Sequence, residues 1–113
     1  MNIQIFGTKK SADTRKAERF FKERGIKFQF IDLTEKGFSK GELRSVAQSV
    51  GGLDALIDNE TKNRDLAALI SCLVPEQKEE KLFEHPEIIK QPVVRNGKQA
   101  SVGYVPDVWK SWQ

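Results

Sequence analysis

Ser11 is the residue best placed for chemistry, because it lies between a predicted strand and the start of a predicted helix. The first backbone N–H groups of a helix have no partner within it, and the helix dipole adds partial positive charge there. Lys9, Lys10 and Arg15 place further positive charges close to Ser11 in the sequence. Such a position binds anions and would stabilise a thiolate. The sequence therefore predicts an electropositive site centred on the side chain of residue 11.

The Ser11 hydroxyl lacks the base that a serine nucleophile needs, since a hydroxyl stays protonated near neutral pH. The single histidine, His85, is far along the chain, so serine-hydrolase chemistry is not favoured, and Ser11 also suits a helix N-cap. The single cysteine, Cys72, ends an apolar stretch without an adjacent Lys or Arg, and we interpret it as a buried, inert thiol. One Cys and one His form neither an intramolecular disulfide nor a plausible zinc site.

The elements around Ser11 form a predicted βαβ unit. Alternating residues predict strands at 3–6 and 27–33, and apolar residues at helical spacing predict a helix that continues to about Arg24. Ser11 or Asp13 can cap this helix. Two strands joined in this way run parallel, with a right-handed crossover.

The rest of the chain is predicted to form several helices followed by a hairpin. Ser39 and Glu42 form a capping box for a second helix, and helical segments continue to about residue 84. Strands at 92–95 and 98–102 flank Asn96-Gly97, a strong two-residue turn signal. Pro106 starts a last helix that offers three apolar residues for packing on the sheet, namely Val108, Trp109 and Trp112.

These elements predict an α/β fold with a four-stranded mixed β-sheet. The sheet combines the βαβ unit with the C-terminal hairpin, and it is flanked by helices, with a helical insertion in the middle. No linker-like stretch divides the chain, so we expect residues 1–113 to form one domain.

Residues 6–17 resemble the active-site loop of the arsenate reductase (ArsC) and Spx family. The family form is Tyr-Gly-x-Lys-x-Cys-x-Thr-x-Lys-Lys-Ala, and this chain reads Phe-Gly-Thr-Lys-Lys-Ser-Ala-Asp-Thr-Arg-Lys-Ala. Further similar segments follow in the family's order at 51–57, 85–94 and 102–106. The resemblance covers nearly the whole chain and implies a thioredoxin-like fold.

The resemblance assigns roles to particular positions. It implies that Ser11 stands where the family has its nucleophilic cysteine, and that Thr14 stands at the second cysteine of the Spx Cys-x-x-Cys motif. It also implies that Pro92 is a cis proline whose loop faces Ser11. The three arginines that hold the oxyanion in glutathione-dependent arsenate reductases are replaced here by Asp58, Gln91 and Val105, while Arg95 is near but out of register.

The family resemblance implies a thiol-dependent oxidoreductase, seen here with Ser11 in place of a cysteine or selenocysteine. Its substrate would be a small oxyanion or a thiol or disulfide, and glutathione, glutaredoxin or thioredoxin would supply electrons without a bound cofactor. Substrate binding is assigned to six residues: Lys9, Lys10, Thr14, Arg15, Gln91 and Pro92.

Two non-catalytic alternatives remain open. An Spx-like member without its cysteine could act by contacting the RNA polymerase α-subunit, and Gly51-Gly52 lies near the region that such members use. Alternatively, the chain could bind an anion or glutathione without turnover.

The charge pattern argues against direct nucleic-acid binding. The formal net charge is +3, but acidic and basic residues alternate along the chain, as on solvated helix faces. The N-terminus does not resemble a signal peptide, and the apolar runs are too short to span a bilayer. We expect a cytoplasmic monomer.

Overall fold

The computed structural model describes residues 1–112, which form four strands and five α-helices. The strands are β1 (Ile3–Gly7), β2 (Phe28–Asp32), β3 (Val93–Asn96) and β4 (Gln99–Val102). The helices are α1 (Ala12–Glu23), α2 (Lys40–Val50), α3 (Arg64–Ser71), α4 (Pro75–Glu84) and α5 (Pro106–Lys110). Short 3-10 turns cover Leu53–Leu56 and Pro86–Ile88. Within residues 1–112 no helix is both long and apolar enough to cross a membrane.

The strands form one mixed sheet in the order β2-β1-β3-β4. β1 pairs parallel with β2 and antiparallel with β3, and β3 pairs antiparallel with β4. This confirms the predicted α/β fold with a βαβ unit, a C-terminal hairpin and helices between them. The central position of β1 places its carboxyl end, and the loop that follows, beside the start of β3.

Two apolar cores lie on opposite faces of the sheet, because side chains alternate along each strand. On one face, Ile3 and Ile5 of β1 pack with Phe21 of α1 and Trp109 of α5. On the other face, Phe6 packs with buried residues of the helices α2, α3 and α4. Each fully buried Ile or Phe side chain contributes about 1.5–3 kcal/mol relative to exposure. Because one side of α1 is buried in the first of these cores, the position of α1 is fixed, and so is that of Ser11 just before its first turn.

Several helix ends follow from local sequence. The Ser39 hydroxyl accepts the Glu42 N–H at 3.1 Å, while the Glu42 carboxylate accepts the Ser39 N–H at 2.8 Å. This confirms the predicted capping box. Gly51 ends α2 in a left-handed conformation with φ +96°, which glycine adopts without steric cost.

The hairpin turn lies one residue later than predicted. Asn96 pairs with Gln99, so the two central residues are Gly97 and Lys98 rather than Asn96 and Gly97. Gly97 has φ +63°, and no other residue type in the described chain has a positive φ. A single positive φ at the first central position is the pattern of a type II′ turn, which requires glycine there. The Asn-Gly signal therefore located the hairpin but not its register.

Two predicted burials are wrong. Cys72 is exposed, whereas Ala67 and Ile70 form the buried side of α3. Cys72 follows Ile70 by two positions, which is a rotation of about 200° around the helix axis, so it lies on the opposite side. Val108 is 40% exposed, whereas Trp109 and Trp112 are buried as predicted. In the short helix α5, only the tryptophan side faces the sheet.

Candidate functional site

Ser11 is the N-cap of α1. Of the two predicted caps, Ser11 and Asp13, the structure therefore selects Ser11. Its Oγ accepts the backbone N–H of Thr14 at 3.2 Å, and its carbonyl accepts the N–H of Arg15 at 3.1 Å. The Ser11 N–H donates to the carbonyl of Thr8 at 3.1 Å, which closes the loop after β1. The half-buried side chain of residue 11 thus lies at the open end of α1, in contact with a helix N–H group.

Gln91 joins the Ser11 loop to the loop that enters β3. Its Oε1 accepts three hydrogen bonds, from the Thr8 N–H at 2.7 Å, the Thr8 hydroxyl at 3.1 Å and the Thr14 hydroxyl at 3.2 Å. An N–H group can only donate, so the atom facing Thr8 is the amide oxygen. The peptide bond from Gln91 to Pro92 is cis, as the family resemblance implies.

Thr14 is fully buried beneath the loop and lies against Gly7 at the end of β1. A Cβ added at Gly7 would meet the Thr14 Oγ1 in a severe overlap and lie 2.7 Å from its Cγ2. The absence of a side chain at Gly7 therefore lets the hydroxyl of Thr14 reach Gln91. Thr14 holds the loop together, while its side chain is closed to solvent.

We expect Gly7→Ala to destabilise the protein by about 1–3 kcal/mol, because overpacking displaces Thr14 or the strand. Urea unfolding followed by circular dichroism measures this change. Gly41→Ala is the matched control, since an added Cβ at this helical position meets nothing within 4 Å. That control should stabilise the protein by about 0.5–1 kcal/mol. Equal stabilities of the two variants would contradict the close approach of Thr14 to Gly7.

A surface depression of about 440 Å³ opens beside Ser11. It is lined by Thr8, Lys10, Ser11, Asp13, Asp58, Glu60, Lys90 and Gln91. Three of these side chains are carboxylates and two are lysines, so the lining side chains are not electropositive overall. The sequence prediction of an electropositive site is therefore wrong for the side chains, and the positive element that remains is the N-terminus of α1.

Lys9 and Arg15 are not among the lining residues. The Arg15 Nη1 donates to the carbonyl of Lys9 at 2.7 Å, so this guanidinium braces the backbone of the loop. Hydrogen bonds from the hydroxyl and N–H of Thr34 lower the pKa of Asp32, and the charge of Lys9 lowers it further. Lys9 thus lies near the end of β2 and outside the lining of the depression.

The three positions at which the family has arginines do not all lie at the depression. Asp58 and Gln91 line the depression, whereas Val105 packs in the core that contains Trp109. Arg95 lies elsewhere: its Nη1 donates to Gln4 at 3.2 Å and lies 3.6 Å from a Glu42 carboxylate oxygen.

The remaining candidates lie apart from the depression. The His85 ring lies 3.0 Å from a Glu87 carboxylate oxygen, at the C-terminal end of α4. No group of three or more His, Cys, Asp or Glu side chains within residues 1–112 is placed to hold a metal ion.

Five lining residues were not among the predicted site residues: Thr8, Asp13, Asp58, Glu60 and Lys90. Thr8 and Lys90 are sequence neighbours of predicted positions, which is a weak signal. Glu60 carries no such signal, because only the path of the chain after Ile57 brings it to this loop.

The chain matches the family model described as ArsC family over residues 6–112. It is 29% identical over 109 residues to a protein named global transcriptional regulator Spx 2 from Oceanobacillus iheyensis, covering 95% of this chain and 80% of that protein. The structure of an arsenate reductase from Vibrio cholerae superposes with a TM-score of 0.82 at 25% identity, covering 96% of this chain and 94% of that one. An ArsC-family-related protein from Bacteroides fragilis superposes with a TM-score of 0.88 at 16% identity, covering 100% and 98% of the two chains.

Proposed function

The chain belongs to the ArsC family, and from this premise we propose that it is a thiol- or selenol-dependent oxidoreductase in which Ser11 occupies the position of the nucleophile. The observation that supports this is the hydrogen bond from the Thr14 N–H to the Ser11 Oγ, at the mouth of the depression. A thiolate or selenolate at residue 11 would accept the same N–H and gain from the helix dipole. A serine hydroxyl in that place carries no redox chemistry.

The proposed reaction is a two-step disulfide exchange. The thiolate of residue 11 attacks one sulfur of a disulfide, the substrate S–S bond breaks, and the leaving half departs with the electron pair and takes up a proton. A thiol of glutathione or thioredoxin then loses its proton and attacks the substrate sulfur of the mixed disulfide. A new S–S bond joins the donor to the substrate half, the bond to residue 11 breaks, and the thiolate of residue 11 is released. The thiol donor is oxidised in the second step. Where glutathione is the donor, glutaredoxin would transfer the electrons of glutathione to residue 11.

The lining of the depression favours a disulfide or thiol substrate over a tetrahedral oxyanion. Arginine clamps such an anion with two parallel hydrogen bonds. Asp58 repels an anion, and the amide oxygen of Gln91 is already occupied by three donors. Among the candidate binding residues, we assign Lys10 to substrate contact, because it lines the depression. Pro92 is buried and its carbonyl accepts the N–H of Gly103 at 2.9 Å, so we assign it to positioning Gln91. Lys9, Thr14, Arg15 and Gln91 hold the loop.

The codon for residue 11 in the gene tests this proposal directly. A TGC or TGT codon encodes cysteine and an in-frame TGA codon can encode selenocysteine, and either would support the proposed enzyme. A serine codon would contradict the catalytic form and favour the binding function described next.

A second candidate function is Spx-like binding to RNA polymerase, and the relative named as a transcriptional regulator favours it. A mostly apolar depression of about 570 Å³ lies at the end of α2. It is lined by Ala47, Gln48, Gly51, Gly52, Leu53, Asp54, Pro75 and Lys78.

Mixing with the C-terminal domain of the polymerase α-subunit tests this second function. Chemical-shift changes confined to amides around this depression are expected, and Gln48→Glu should weaken them. Gln29→Glu on the edge strand β2 is the control. An unchanged spectrum at equimolar protein would remove this candidate.

A further inference from the structure

We propose that the depression beside residue 11 selects disulfide substrates that carry a positive charge near the reacting sulfur, such as an ammonium group. This inference rests on the proposed function, because it requires a reactive sulfur at residue 11. The lining has the carboxylates of Asp13, Asp58 and Glu60 against the ammonium groups of Lys10 and Lys90.

The Asp58 carboxylate is held in place by its own turn. Its Oδ1 accepts the backbone N–H of Glu60 at 3.0 Å, and the Asp58 N–H donates to the carbonyl of Ile88 at 2.8 Å. The turn is thereby tied to the segment that leads to Gln91. A carboxylate fixed in this way presents its second oxygen without the entropy cost of ordering a free side chain.

Lys10 and Lys90 leave one carboxylate of the lining unbalanced, and the cations outside the lining do not offset it. Lys16 lies 3.9 Å from Asp13 with both side chains about half exposed, so this pair is strongly screened. The Arg15 guanidinium is turned to the carbonyl of Lys9. Besides Lys10 and Lys90, the N-terminus of α1 is a positive element at this site. A thiolate at residue 11 would accept its N–H group and so largely neutralise its partial positive charge. An incoming anion would then meet the thiolate and the carboxylates together.

The expected selectivity is modest, because the site is open to water. Two unit charges about 7 Å apart in water change a rate by about threefold, and the effect is screened by salt. The lining has one net negative charge, and it acts with opposite sign on the cationic and the anionic disulfide, so their rates differ by about the square of that factor. We therefore expect the cationic disulfide to react about tenfold faster than the anionic one at low ionic strength, with the neutral disulfide between them.

The experiment uses the full chain with Ser11→Cys and Cys72→Ser, since the exposed Cys72 would otherwise react as well. Stopped-flow rates are measured with cystamine, hydroxyethyl disulfide and dithiodipropionate, each divided by its rate with free mercaptoethanol. Asp58→Asn with Glu60→Gln should reduce the cation preference by at least about threefold. Asparagine keeps the acceptor oxygen of the turn, so the loop is preserved. Lys90→Gln should shift the preference in the opposite direction.

Glu23→Gln is the matched control, because Glu23 lies at the far end of α1, about 17 Å along the helix from Ala12. It should leave the ratio of rates unchanged. A preference for the anionic disulfide, or equal normalised rates for all three, would overturn the charge selectivity while leaving the proposed function intact. If the thiol introduced by Ser11→Cys reacted with none of the three disulfides, both the charge selectivity and the proposed function would be overturned.

Discussion

Ser11→Cys is expected to create a thiol whose pKa lies below the ordinary value of about 8.5. A hydrogen bond from an N–H to a charged acceptor contributes about 1.5–3 kcal/mol, and the N-terminus of a helix adds about 0.3–1 kcal/mol. A carboxylate about 7 Å away through water would oppose this by only about 0.6 kcal/mol. The Thr14 N–H, which lies 3.2 Å from the Ser11 Oγ, therefore outweighs Asp13 and Asp58.

The lowered pKa should appear as faster disulfide exchange at neutral pH. A pKa one unit below the ordinary value raises the thiolate fraction at pH 7 from about 3% to about 25%, while the nucleophilicity of each thiolate falls about threefold. The net expectation is about a threefold faster reaction than that of an ordinary exposed thiol. With glutathione present, the variant should turn over a disulfide and the parent chain should not.

The measurement is the pH dependence of alkylation by iodoacetamide, made on Ser11→Cys in a Cys72→Ser background. The exposed Cys72 of the parent chain is a convenient reference thiol in the same protein. A titration at or above the ordinary thiol pKa would contradict the proposed role of the α1 N-terminus. Asp58→Asn should lower the pKa further, which separates the carboxylate effect from the N–H effect.

Gln91→Leu is expected to destabilise the protein by about 2–4 kcal/mol, because a buried donor without a partner costs about 1–3 kcal/mol and a rotated hydroxyl recovers part of the loss. The substitution removes the common acceptor of the Thr8 N–H, the Thr8 hydroxyl and the fully buried Thr14 hydroxyl. Urea unfolding gives the free energy change, and the amide signals of residues 8–14 should shift most.

Two further variants test this interpretation of Gln91. Gln91→Glu retains an acceptor oxygen, so it should lose much less stability than Gln91→Leu. Gln77→Leu, at an exposed position of α4, should change stability by no more than about 0.5 kcal/mol. If Gln91→Leu were as stable as Gln77→Leu, the three hydrogen bonds to Gln91 would have no energetic role.

Local sequence determined most of the elements of this protein. The Ser39–Glu42 capping box involves partners three residues apart, so residue type and spacing were sufficient to predict it. For α1 the same reasoning left Ser11 and Asp13 as possible caps, and the structure selects Ser11. The alternation of residues 3–6 likewise predicted strand β1. Local sequence therefore determined that residue 11 lies between a strand and the start of a helix.

Only the tertiary structure decided what surrounds residue 11. Gln91 meets Thr8 across 83 positions of sequence, and Asp58 and Glu60 reach the same depression from a separate turn. Sequence spacing carries no information on such distances, because they depend on strand pairing and on how each helix packs. For the same reason the nearby Lys9 and Arg15 were predicted to serve the site, yet the folded chain turns Arg15 to the loop backbone and leaves a lining in which carboxylates outnumber lysines.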